Sequence, residues 1–314
     1  MEMEILDLDQ SLRKQPEVLS GARAVIPLIG IGRRLRLACS WSAFRRFQNH
    51  LDEQVGSATE ISPVLRFIGS GDFHHLTLAL LNRISVRFNL LVLDNHPDWM
   101  RFLPFLHCGS WLYHASCFPT INRIFHMGGN VDFDNGFRHL APTSSLHQKR
   151  IVVFPEKRQF SRGFWKRIPN QNLRLNQDAP ITTSRVKELL SPWAKDLARF
   201  PLYISLDKDV MTSSKSKVNW DSGDMYPEEV IQILDEFRIC VPQILGMDVV
   251  GDWSPVDVKG VFRKVLHLLE HANDKDSCQN ASDINQEINL MVFRWWKKNA
   301  GKGAPSFPFP PGSK

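Results

Sequence analysis

The chain alternates short apolar runs with longer amphipathic patterns, and this alternation limits its fold more than any other feature. The runs include Leu35–Ala38, Val64–Ile68, Leu90–Leu93, Ile124–Phe125, Ile151–Phe154, Leu202–Leu206 and Ile244–Val250. Several are nearly continuous rather than alternating, as in strands of a parallel sheet covered on both faces. Between them lie helical faces: Leu76, Ala79, Leu80 and Ile84; Val230, Ile231, Leu234 and Phe237; Val258, Val261, Phe262, Val265, Leu266 and Leu269. The second follows Pro227-Glu228-Glu229, a proline and early acids that suit a first helical turn. A last amphipathic helix is expected over about 282–298. Strands alternating with helices predict an α/β fold, a three-layer α/β/α sandwich around a mainly parallel sheet. The expected organisation is one domain over 1–298 and a Gly/Pro/Ser-rich tail over 299–314 without a core of its own. Residues 155–182 read as a polar surface excursion.

Composition excludes several classes. A chain of 314 residues with 43% apolar and 23% charged residues can bury a large core. The five cysteines, Cys39, Cys108, Cys117, Cys240 and Cys278, form no CxxC pair, and their odd number fits a reducing compartment such as the cytoplasm. The acidic start MEMEILDLDQ has no signal-like apolar region. No apolar stretch nears the ~18 residues of a membrane span. The net charge of +6 comes from dispersed basic residues without a nucleic-acid motif, so neither nucleic acid nor membrane is an expected partner. The oligomeric state is open, a homo-oligomer included.

The chemistry is concentrated where apolar runs end. Leu90–Leu93 leads into Asp94-Asn95-His96-Pro97-Asp98, three possible metal ligands at alternate positions. Leu202–Leu206 leads into Asp207-Lys208-Asp209, again with carboxylates two residues apart. Val64–Ile68 leads into Gly69-Ser70-Gly71-Asp72-Phe73-His74-His75. Open α/β sheets bind ligands at the carboxyl ends of their strands. Four or five carboxylates converging there would repel one another unless a cation neutralised them.

The order Gly-Asp-(Phe)-His, then Asp-x-His-x-Asp, then Asp-x-Asp resembles the arginase/agmatinase (ureohydrolase) superfamily, whose fold histone deacetylase-like enzymes share. The resemblance runs from about Val64 to Val250 and rests on motif order and spacing. It implies two manganese ions bridged by hydroxide, with Fe²⁺, Co²⁺ and Zn²⁺ as other possible metals. It places His74 or His75 with Asp94, Asp98 and Asp207 on one ion. His96 and Asp209 go to the other, with Asp94 and Asp207 shared. It implies hydrolysis of a linear, non-peptide C–N bond in a small guanidino or amide substrate. Asp98 would orient the attacking hydroxide, and His107 of His107-Cys108-Gly109 would shuttle the proton. Asp252, after Gly246–Val250, is the candidate substrate contact. The alternatives are a single-metal, deacetylase-like amidohydrolase and a non-catalytic binding protein of the same fold.

Three departures bear on that reading. One residue is inserted before the His pair, and Cys108 separates His107 from Gly109. The second motif lacks the family's following Asp-Pro and carries Lys208 between its acids. Strand alternation directs Lys208 away from the metals. Trp99, Trp111, Trp220 and Trp253 flank the motifs, either as core packing or as an aromatic mouth.

Overall fold

A computed structural model describes residues 2–56, 63–101, 104–129, 141–156, 181–270 and 280–302. Ten strands are present among them: β1 (Glu2–Asp7), β2 (Ala24–Pro27), β3 (Ala38–Cys39), β4 (Val64–Gly69), β5 (Phe88–Leu93), β6 (Leu106–His107), β7 (Ile121–Met127), β8 (Ile151–Phe154), β9 (Leu202–Asp207) and β10 (Ile244–Val250). Eight form one sheet in the order β2-β1-β4-β10-β9-β5-β7-β8, and every pairing in it is parallel. β3 and β6 make a separate antiparallel ribbon.

Residue alternation explains why the strands read as continuous apolar runs. In β9, Leu202, Ile204 and Leu206 face one core, together with Leu91, Leu93, Phe125, Met247 and Val249. Helices Thr183–Leu190, Pro227–Cys240 and Ala281–Asn299 cover that face. Tyr203 of β9 faces the opposite core with Leu90, Val92, Ile124 and Leu245. Helices Trp41–Val55, Thr77–Leu81 and Trp111–Ala115 cover this second face. With apolar layers on both sides, neither strand face needs polar residues. The three-layer sandwich is the architecture observed.

The strand order also explains where the motifs meet. The chain builds β1, β2 and β4 on one side, then crosses to β5, β7 and β8 on the other. β9 and β10 return to fill the gap between β4 and β5. The carboxyl ends of β4, β10, β9 and β5 therefore lie side by side at the point where the sheet changes direction. That point is the characteristic ligand crevice of an open α/β sheet.

Several local expectations need correction. The acidic N-terminus is strand β1. Its Glu4 is buried and pairs with Arg66 of β4 at 2.9 Å, so an acid in this strand is neutralised within the sheet. Leu35–Ala38 is not a strand: Leu35 ends helix Ile29–Leu35, and only Ala38–Cys39 pairs. The first helical face is broken by a 3-10 turn, Gly71–Leu76, before the short helix Thr77–Leu81, and Ile84 lies beyond it. The apolar face of helix Val261–Glu270 stays exposed at Val261, Phe262 and Val265, while Leu266 is buried. The last helix extends to Asn299, and Ala300 is buried. Arg238 of helix Pro227–Cys240 donates to the carbonyls of Asn299 and Lys302. The rest of the tail, most of the 155–182 excursion and Cys278 lie outside the described residues.

Candidate metal centre

Each motif arrives at the crevice on a rigid strand end. Asp94 directly follows β5, Asp207 closes β9, and the turn after β4 carries His74. The turns are tied to one another through the backbone. Asp94 accepts the His96 N–H at 2.6 Å, Asp207 accepts the Asp209 N–H at 3.0 Å, and Asp209 accepts the Asn95 N–H at 3.0 Å. Asp98 has a φ of 45°, in the left-handed region that few non-glycine residues occupy. Its carboxylate is held by the Trp111 indole N–H at 2.8 Å. Strain at a residue fixed from the other side is typical of functional positions.

Two groups of ligand atoms result. In the first, His74 Nδ1 lies 3.1 Å from Asp98, 3.3 Å from Asp94 and 3.5 Å from Asp207. In the second, His96 Nδ1 lies 2.8 Å from Asp209 and 4.0 Å from Asp94. His74, Asp94 and Asp98 place their ligand atoms within 4.8 Å of one another, and so do Asp94, His96 and Asp209. Asp94 belongs to both groups. All these residues are buried except His96, whose side chain is 35% exposed and marks the open edge of the crevice.

The electrostatics are those of a cation site. Burial raises the Asp94 carboxyl well above its ordinary range, and the charges of Asp98 and Asp209 raise it further. Burial, then the charge of Asp209, pushes Asp207 up to about 8. Burial opposes the imidazolium of His74, but hydrogen bonds and charge from Asp94 and Asp98 outweigh it and lift its pKa well above the usual value. At His96, desolvation is likewise outweighed, chiefly by the charge of Asp209, and its pKa rises to about 10. The cluster thus holds extra protons where a cation would otherwise sit. Asp94 Oδ2 is buried, and His74 Nδ1, 3.3 Å away, makes no well-formed hydrogen bond to it, so metal coordination would satisfy this acceptor. The residues fit a divalent cation, and their donors are mostly carboxylate oxygens with one imidazole per group.

The structure distinguishes the two adjacent histidines. His74 faces the carboxylates. His75 points into the core, and burial, then the charges of His107 and His74, lowers its pKa to about 3. His107 ends β6 outside both ligand groups, and its Nδ1 accepts the Gly109 N–H at 3.0 Å. Asp252 is fully buried and pairs with Lys208 Nζ at 2.8 Å. It also accepts from Gln15 Nε2 at 2.7 Å. Lys208 donates to Asn289 Oδ1 at 3.1 Å as well, so it points toward the last helix and away from the ligand groups. Burial lowers its pKa, against the opposing charge of Asp252. Trp99 and Trp111 are core residues. Trp220 and Trp253 are partly exposed, and the Trp220 ring lies 5.8 Å from that of His96.

Sequence reasoning missed Ser205 and Asp248, which lie directly behind His74. A signal was available for each. Ser205 is two residues before Asp207 on the same strand face, and Asp248 is a lone acid inside an apolar run. His126 of β7 carried no comparable signal; its Nε2 meets the His96 carbonyl at 2.8 Å.

No protein-family model matches the chain. An uncharacterised protein of Thermotoga maritima is 26% identical over 210 residues, covering 66% of this chain and 67% of that one. Among solved structures, formimidoylglutamase from Bacillus subtilis matches with a TM-score of 0.55 at 12% identity, over 98% of this chain and 88% of that one. Arginase from Medicago truncatula matches at 0.53 and 14% identity, over 94% and 84% of the two chains. Arginase from Bacillus caldovelox matches at 0.51 and 15% identity, over 92% and 96%. At these identities the likeness is one of fold. Taken with the parallel sheet and the motifs at its crevice, it shows that the chain has the fold of the arginase/agmatinase (ureohydrolase) superfamily.

Proposed function

We propose that the protein is a metal-dependent hydrolase of linear, non-peptide C–N bonds in small guanidino or amide substrates. The observation that carries this reading is the meeting of two ligand groups at Asp94. His74, Asp98 and Asp207 would hold one divalent cation, His96 and Asp209 the other, with Asp94 and Asp207 shared. Manganese suits this oxygen-rich donor set. When bound, such cations would lower the pKa of a coordinated water and stabilise charge developing on the substrate. Asp98, fixed by Trp111, orients the attacking water and takes its proton. The leaving amine receives the proton that Asp98 takes from the water, carried to it by His107, so the site ends in its starting protonation state. The substrate enters beside His96 and Trp220, the open side of the crevice. The fold neighbours named arginase and formimidoylglutamase support the same reaction class.

The test is release of amine, ammonia or urea by the manganese-loaded protein across a panel of guanidino and amide compounds. We expect turnover of at least one class, abolished by a chelator and restored by Mn²⁺. A protein that binds two cations and turns over no member of the panel contradicts the reading.

A further inference from the structure

A buried chain of polar groups runs behind His74. Its Nε2, on the far side of the ring from the carboxylates, lies 3.0 Å from Ser205 Oγ. Ser205 Oγ lies 2.9 Å from Asp248 Oδ1, which also accepts the Thr77 hydroxyl at 2.9 Å. Ser205 and Asp248 are register partners on β9 and β10, so the sheet itself fixes their spacing. Ser205, Asp248 and Thr77 are fully buried, and His74 nearly so.

With Asp248 as the carboxylate to which both Ser205 and Thr77 donate, the donors and acceptors in this chain can be ordered in only one favourable way. A carboxylate oxygen only accepts, so the single Ser205 proton goes to Asp248. Ser205 then has only lone pairs left for His74, and Nε2 must carry the hydrogen. The reverse order would set two oxygen lone pairs against each other in a dry interior, at the cost of an unsatisfied buried acceptor. A neutral His74 so arranged presents a bare Nδ1 to Asp94, Asp98 and Asp207, the direction from which a cation is bound.

We propose that Asp248, acting through Ser205, is a positioning residue that fixes the tautomer of His74 so that its Nδ1 lone pair faces the carboxylate cluster. The proposal rests on the two-cation reading above. Partners behind a ligating histidine typically contribute 10- to 100-fold to metal affinity (an order-of-magnitude range).

Two measurements test it. Calorimetric titration of the metal-free protein with Mn²⁺ is compared for wild type, Ser205→Ala, Ser205→Thr and Asp248→Asn. We expect Ser205→Ala and Asp248→Asn to weaken one of the two cations by roughly 10- to 100-fold and the other by less than about threefold. Ser205→Thr, which keeps the hydroxyl, should restore the weakened one. Nitrogen-15 spectra of the wild-type histidines, with Zn²⁺ as a diamagnetic probe, need no substitution. They should show His74 protonated at Nε2 and metal-bound at Nδ1. Unchanged affinity in Ser205→Ala, or a proton on Nδ1 of His74, overturns the relay and leaves the two-cation reading standing. A wild-type protein that takes up neither cation overturns both.

Discussion

Asp94 shows how one residue can determine the chemistry of a site. It lies one position beyond an apolar strand, is buried, and is shared by both ligand groups. Its neighbours make ionisation costly, and the effect is measurable without any substrate. Asp207 titrates near 8 in the folded, metal-free chain, against ~4 for an ordinary Asp carboxyl. His96 titrates near 10, against ~6.5 for an unperturbed imidazole. Both groups therefore bind more protons folded than unfolded. The stability that Asp207 confers is full below ~4 and lost as pH rises through about 8; for His96 the corresponding limits are ~6.5 and about 10. The metal-free protein should melt at progressively lower temperature as pH is raised from ~6 to ~9. Saturating Mn²⁺ should raise the melting temperature and remove the decline. Melting curves of the metal-free protein that are flat or rise with pH would contradict this account of the carboxylates. The candidate ligands Asp94, His96, Asp98, Asp207 and Asp209 were legible in the sequence because each stands two positions from another at a strand end. The choice between His74 and His75 was not legible: it depends on a 3-10 turn whose phase one inserted residue resets.

At the scale of elements, β9 directs its residues to two sides of the sheet. Ser205 and Asp207 face the crevice side, while Lys208 turns toward helix Ala281–Asn299 and closes a buried network with Asp252, Gln15 and Asn289. A lysine between the two acids departs from the family pattern, and strand alternation already directed it away from the candidate metal site. Here it ties the β9 turn to the turn after β10 and to the last helix, because alternation sends its side chain away from its neighbours. Asp252 is committed to that tie. Gly251 beside it has a φ of +91°, and a Cβ there would stand 2.5 Å from Asp207 Oδ1, so the β10 turn closely backs the ligand group. The network predicts a stability effect. Asp252→Leu leaves Lys208 charged and unpaired in the interior and should cost about 3–5 kcal/mol in urea unfolding. The double variant with Lys208→Met should recover much of that loss. A single-variant cost below about 1 kcal/mol would show that the pair is not holding the turns together.

For the molecule as a whole, sequence periodicity predicted the layered fold because the strands are covered on both faces and read as unbroken apolar runs. It did not predict the edges. β1 carries acids whose partners lie elsewhere in the chain, Arg66 of β4 for Glu4 and Arg13 for Asp7, and β3 and β6 pair over two residues each, too short to show a period. Strand order was also not legible, although it is what brings β4, β10, β9 and β5 to one crevice. The central claim is that this crevice holds two cations that share Asp94. The most direct measurement is a crystal structure of the Mn²⁺-soaked protein with anomalous scattering at the manganese edge. We expect two peaks per chain, one bounded by His74, Asp94, Asp98 and Asp207, the other by His96, Asp209 and the shared Asp94 and Asp207. A single peak, no peak, or a peak coordinated by His75 in place of His74 would contradict it.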